Sequence, residues 1–185
     1  MSEFSHVDYM NGVSEEFGRR EASRMKSVLA RMPFCALGTS PIETMFGCAL
    51  YIEMESRLDV WAGVEESAFS VIPNDKIEDF VLAPVQGIYA AHQVQVGQYR
   101  VDFVVALRSL DFGTGFFAVE LDGHDFHEKT KEQASRDKAR DRYLQSRGIA
   151  VFRFTGSEVW KDPAGCASSL LDDAFAAMAA RNTDK

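Results

Sequence analysis

Between Tyr99 and Gly123 two apolar segments, Y-R-V-D-F-V-V-A-L and F-F-A-V-E-L-D-G, each carry acid in apolar surroundings. A polar loop of roughly eight residues, with Gly113 and Gly115, joins them in the pattern of a β-hairpin. With Leu107 and Phe116 as strand ends, Asp102 falls beside Glu120 or one place away, within cross-strand reach. Two carboxylates held that close repel each other unless a cation lies between them. Strand alternation puts Arg100, Asp102, Val104 and Ala106 on one face, and Phe116, Ala118, Glu120 and Asp122 on one face of the next strand. Asp102, Glu120 and Asp122 therefore converge. Hard oxygen donors at this density suit Mg²⁺ or Mn²⁺, which bind a few carboxylates and keep waters for a substrate phosphate. Such an ion activates water and neutralises charge on a phosphoryl group.

The elements that must position these acids are readable along the chain. Ser14 to Met32 has the pattern of a helix that Pro33 follows. Ser40-Pro41-Ile42-Glu43 forms a capping-box signature, and apolar residues at helical spacing carry a buried helix to about Ser56. The segment D-V-W-A-G-V, at 59–64, suggests a short strand. Strands are expected at about 88–96, 99–107 and 116–122, with a turn at Gly97-Gln98. A helix over 128–147 ends at Gly148, residues 149–154 form a last strand, Ser157 caps a short turn, and an amphipathic helix covers 164–180. The predicted class is α/β, a mixed four-stranded central sheet flanked by helices. Residues 1–35 form an N-terminal helical extension and 36–185 the main domain.

Composition narrows the setting. The 185 residues have 46% hydrophobic and 26% charged content, ordinary for a globular protein. No apolar run has the roughly 18 residues of a membrane span. The N-terminus is acidic and lacks the basic and apolar regions of a signal peptide, so residence in the cytoplasm is expected. Cys35, Cys48 and Cys166 lie far apart without metal-ligand spacing, and core or half-buried thiols are expected. The net charge of −8 opposes nonspecific coating of nucleic acid, yet residues 124–153 hold 8 basic against 5 acidic side chains. Polyanion contacts should use that later segment.

Three stretches carry a family resemblance: Q-V-Q-V-G-Q-Y-R-V-D-F, V-E-L-D-G-H-D-F-H, and S-R-D-K-A-R-D-R-Y-L-Q-S-R-G-I-A-V-F-R-F. In order and spacing they resemble endonuclease-like proteins related to the very-short-patch-repair endonucleases, within the PD-(D/E)XK or restriction-endonuclease-like superfamily. The resemblance covers about residues 88–162 and, more loosely, the S-P-I-E helix. It implies an αβββαβ core, cleavage of phosphodiester bonds, usually in DNA, and metal-binding acids at Asp102 and Glu120. Gln93 matches a glutamine that often precedes the G-x-Y-x-x-D-F strand. Glu43 has two readings, the N3 partner of a helix cap or an acid of the first core helix that joins the metal site.

One position departs from the superfamily pattern. Asp122 stands where the named motif has lysine, two residues after Glu120. Lys129, Lys131, His124 and His127 are the candidates to replace it, since a histidine near neutrality can shuttle a proton to a leaving oxygen. Arg136, Lys138, Arg140 and Arg142 alternate with Asp137 and Asp141, a pattern suited to helical ion pairs. Arg136 and Arg140 are candidates to track phosphates, and Arg153 to point into the cleft. Phe103, Phe116, Phe117, Phe152, Phe154 and Trp160 are expected in the core. These readings give a Mg²⁺- or Mn²⁺-dependent endonuclease acting on DNA, with RNA as a further substrate class. The alternative is a noncatalytic nucleic-acid-binding or regulatory domain that keeps the nuclease fold.

Overall fold

A computed structural model describes Arg19 and residues 40–57, 66–69, 76–79, 86–110, 113–122 and 131–180, with backbone alone at 66–69, 79 and 131–134. The chain divides into two compact units, Met1–Met32 and Pro33–Lys185; Arg19 aside, every described residue belongs to the second. The expected helix over 14–32 and strand over 59–64 lie outside the described residues, except for helical Arg19.

The second unit opens with α1, Pro41–Ser56. The Ser40 hydroxyl accepts the Glu43 N–H at 3.2 Å, and Pro41 needs no partner for the N–H it lacks. Strand β1, Glu66–Phe69, follows, then a 3₁₀ turn at Ile77–Asp79. Three antiparallel strands come next: β2, Gly87–Val96; β3, Tyr99–Ser109; and β4, Gly113–Asp122. Helix α2, Lys131–Ser146, crosses to β5, Ala150–Thr155, which pairs parallel to β4. Two helices finish the chain: α3, Gly156–Lys161, and α4, Pro163–Ala180.

The four expected strands thus form one mixed sheet, and β1 adds a fifth at the edge, parallel to β2. Its four residues had no clear alternation to announce them. The cap before α3 is Thr155 rather than Ser157. Thr155 accepts the Glu158 N–H while Glu158 reaches back to the Thr155 N–H, a full capping box. Trp160, expected in the core, is 66% exposed because a one-and-a-half-turn helix buries only Gly156 and Val159.

Helices cover both faces of the sheet. On one, the Phe46 ring of α1 meets Phe103 of β3 and Phe154 of β5, and α1 packs along α4. Arg57, buried at the end of α1, ties that pair together through Asp172 and Ser168 of α4. On the other face, Leu144 of α2 closes a core with Tyr89, Ala91, Val94, Val96, Val101, Val104, Ala106 and Ala118.

That second core shows where simple alternation fails. It takes odd-numbered β2 residues before Gln93 and even-numbered ones after it; in β3 it takes Val101, then Val104 and Ala106. Both strands change phase at one place. His92 pairs with Phe103 and Val94 with Val101, so Gln93 and Asp102 stand opposite each other between those pairs. The cause is local: Gln93 has φ 54°, a left-handed conformation that side chains other than glycine rarely adopt. Asp102 therefore does not share a face with Val104 and Ala106 as strict alternation predicts.

The β2–β3 turn is fixed against α2. Gly97 has φ +59°, and a Cβ there would fall on the Tyr143 hydroxyl. Tyr143 in turn packs on Tyr99 and beneath the Arg147 guanidinium. Gly97→Ala combines a left-handed backbone costing roughly 1–2 kcal/mol with displacement of that ring. It should lower Tm on the order of 5 °C in a thermal melt, given about 2–4 °C per kcal/mol at this size. An unchanged Tm would show that the turn and α2 do not press on each other.

Candidate active site

The site begins where the sheet divides. The β3–β4 ladder ends at Phe103–Val119, while β3 stays paired with β2 to Tyr99 and β4 with β5 to Asp122. Beyond Phe103 the main-chain pairing is replaced by a side chain: Asp102 Oδ2 accepts the Leu121 N–H at 2.7 Å. A carboxylate receiving a backbone N–H is a strong, charge-assisted bond. It anchors Asp102 beside β4 while holding the two strands apart.

Acids stand on both sides of this notch, Glu43 and Asp102 about Gln93 and Glu120 toward α2. Glu43, at the start of α1, is 9% exposed, and Glu120 is 5% exposed. Gln93 links Glu43 to Asp102, its Nε2 donating to Glu43 Oε2 at 2.9 Å and to Asp102 Oδ1 at 3.4 Å. Its Oε1 accepts from Arg100 Nε at 2.9 Å. The left-handed backbone at Gln93 therefore coincides with the amide that bridges the acids, the kind of strain that gathers at functional sites.

Glu120 continues the alternation of β4 and faces α2, where its Oε1 forms an ion pair with Arg140. Arg140 Nη2 also donates to the Arg100 carbonyl at 3.0 Å, so this side chain crosses the notch from β4 to β3. The next residue of α2, Asp141, accepts from Arg153 Nη2 at 2.5 Å, and Arg153 Nη1 lies 3.7 Å from Asp122. Arg153 pairs in register with Glu120 on the neighbouring strand. Consecutive charges on α2 thus meet opposite charges on the sheet.

The linked side chains hold five carboxylates (Glu43, Asp102, Glu120, Asp122 and Asp141) against three guanidiniums (Arg100, Arg140 and Arg153). The Asp102 carboxyl is pushed above its usual range by burial first and by the Glu43 charge as well. The Leu121 N–H, Arg140 and Gln93 oppose that rise. Burial, and then the nearby Arg153 charge, draws Arg140 below the usual guanidinium range, although arginine stays protonated.

The sequence-predicted residues divide clearly. Glu43, Gln93 and Asp102 are joined through the Gln93 amide, whereas Glu120 is turned toward α2 and paired with Arg140, whose charge also acts on Asp102. Asp102 and Glu120 do not share the face that strict alternation predicts. Asp122 is placed one side-chain row outward, engaged with Arg153. Arg153 meets Asp141 and Asp122, and Arg136 is exposed on α2. His124, His127 and Lys129 lie outside the described residues; Lys131 begins α2, with its side chain outside them. Arg100 was passed over as a site residue, although its place three residues after the Gly97 turn brings it beside Gln93.

A family model, REase_MTES_1575, matches residues 76–173, more than half of the chain. The protein belongs to this restriction-endonuclease-like family, within the PD-(D/E)XK superfamily. It is a nuclease-type domain, and the family implies a nucleic-acid substrate. No curated protein and no solved structure matches the chain. No helix among the described residues is long and apolar enough to cross a membrane.

Folds of this kind usually use divalent metal ions. Among the described residues no group of three or more potential ligands is close enough to enclose an ion. Mg²⁺ does not require such a cage, since one or two carboxylates with water and substrate phosphate suffice. The donor chemistry at the notch fits, since the carboxylates of Glu43 and Glu120 are buried and that of Asp102 is partly so.

The raised carboxyl of Asp102 has a definite sign for stability. A folded-state value above the unfolded one means that stability falls as pH rises through the folded value. Asp102→Asn should therefore raise Tm at neutral pH in a chelating buffer. The gain should shrink as pH drops below about 4, where the acid is protonated in both states. Calorimetry showing the Asn variant less stable at neutral pH would contradict this charge assignment.

Proposed function

We propose that this protein is a Mg²⁺- or Mn²⁺-dependent endonuclease that hydrolyses phosphodiester bonds in DNA, with Asp102 and Glu120 as the principal metal-holding residues. The observation that supports this reading is the group of acids at the split between β3 and β4. There Gln93 ties Glu43 to Asp102, and Arg140 pairs with Glu120 while its charge also acts on Asp102. Glu43 is the further acid of this set, held toward Asp102 through Gln93. Asp122 is a more distant candidate, since Arg153 neutralises part of its charge.

Each side chain has a separate task in this reading. Leu121 N–H fixes one oxygen of Asp102 and leaves the other turned toward Gln93. Gln93 sets the spacing of Asp102 and Glu43 with one amide. A divalent ion supplies charge neutralisation and a water of lowered pKa when bound. In the hydrolysis the water gives up a proton to solvent as its oxygen bonds to phosphorus, the bond to the leaving sugar oxygen breaks, and that oxygen takes a proton. His124 and His127 are the candidates to deliver the proton, and Lys129 and Lys131 to orient the water. Arg136, exposed on α2, is the candidate to touch phosphates away from the scissile bond. Cytoplasmic residence belongs to this reading, supported by the free thiols of Cys48 and Cys166.

One observation favours a noncatalytic nucleic-acid-binding domain instead: Arg140 already neutralises Glu120. Incubation with single-stranded and duplex DNA and with RNA, in Mg²⁺, Mn²⁺ or EDTA, separates the two. The expected result is DNA cleavage that needs the metal and falls at least about 100-fold in Asp102→Asn and Glu120→Gln. Binding without cleavage in every metal supports the noncatalytic domain, and cleavage of RNA alone changes the substrate class. Cleavage unaffected by either substitution rejects the assignment of these acids.

A further inference from the structure

We propose that Arg140 is the positive group this active site uses in place of the lysine that the motif puts two residues after Glu120. The inference rests on the nuclease reading and deepens it. Position 122 on β4 is an aspartate, and the cation beside it, Arg153, is engaged by Asp141 and Asp122. The cation beside Glu120 comes from α2 instead. Arg140 is ion-paired with Glu120, donates to the Arg100 carbonyl across the notch, and attracts Asp102.

The fold holds that guanidinium in place from both sides. Asp141, the next residue, grips Arg153 of β5 at 2.5 Å and so fixes the rotation of α2. Leu144, one turn later, is fully buried against the sheet. The turn at Gly97 presses on Tyr143 of the same helix. A side chain that only tracked DNA phosphates would need none of this, because such contacts come from exposed, mobile cations. Arg140 is instead partly buried, its side chain 21% exposed.

A second observation points to a ligand. Arg140 Nε is buried and has no hydrogen-bond partner among the described residues, while Nη2 serves both Glu120 and the Arg100 carbonyl. A buried donor without an acceptor costs about 1–3 kcal/mol, more when charged. A phosphate oxygen at the notch would supply the acceptor, and the planar fork of arginine suits phosphate better than a point charge does. Arginine cannot take up or release the water's proton at neutral pH. Its role is therefore to orient the scissile phosphate and stabilise the charge that develops on it. Proton transfer stays with other groups.

The test compares wild type with Arg140→Gln and Arg140→Lys on a DNA substrate, measuring kcat and KM, with Mn²⁺ affinity measured by calorimetry without DNA. Arg140→Gln should lower kcat about 100-fold or more, the scale of losing one charge-stabilising donor, while KM changes less than about threefold. Mn²⁺ affinity should stay equal to wild type or become tighter, whereas Glu120→Gln should weaken it at least about tenfold. Arg140→Lys should recover part of kcat because the charge returns without the fork. It also serves if the glutamine variant does not fold: a lysine variant matching wild type in kcat overturns the need for the guanidinium. A rise in KM alone would make Arg140 a phosphate-tracking side chain, and tighter Mn²⁺ binding with unchanged kcat would make it only a counter-ion. Both overturn the proposal. Wild-type protein that binds Mn²⁺ but cleaves nothing overturns the nuclease reading itself, a result distinct from an active enzyme indifferent to Arg140.

Discussion

The hydrogen bond from the Leu121 N–H to Asp102 Oδ2 is the contact on which the site's construction depends. It takes the place of a main-chain ladder bond at the point where β3 and β4 part. Without a substitute acceptor there, a buried N–H would be left unpaired at a cost of about 1–3 kcal/mol. With it, the sheet can divide while every neighbouring strand stays paired. The same bond commits one oxygen of Asp102 to structure and leaves its other oxygen beside Gln93.

Around that bond stand Glu43, Asp102 and Glu120, with Arg100 reached through Gln93 and Arg140 paired with Glu120. Burial sharpens the repulsion between Glu43 and Asp102, because carboxylates at low dielectric repel more strongly than in water. The phase change of β2 and β3 at Gln93 and Asp102 is part of the same arrangement. It turns the Gln93 amide toward both Glu43 and Asp102 at the expense of a strained backbone. Local stability is given up where chemistry is expected, and the hydrophobic faces on both sides of the sheet hold the strained segment in place. Phe103 and Val94, both fully buried next to the strained pair, leave it little freedom to relax.

Much of this was legible in the sequence, for physical reasons that particular residues show. Asp102 and Glu120 stood out because acids inside apolar strand segments need compensation, and the short hairpin fixed their register. Ser40 and Glu43 announced a helix start at the correct place, and Gly148, with φ 72°, ended α2 as expected. The phase change was not legible, since one left-handed glutamine leaves no mark on hydrophobic periodicity. Nor was the partner of Glu120: Arg140 sits among four basic residues of α2, and only the seating of the helix selects it. The edge strand β1 and the exposed Trp160 escaped for a related reason. A four-residue strand and a six-residue helix are too short for a pattern to establish which side is buried.

A Mn²⁺-soaked crystal, read by anomalous diffraction, tests the central claim most directly. The account predicts an anomalous peak at the parting of β3 and β4, with an oxygen of Asp102 and one of Glu120 both about 2.1 Å from the ion. An ion bound elsewhere, or these two carboxylates free of metal at saturating Mn²⁺, would contradict it.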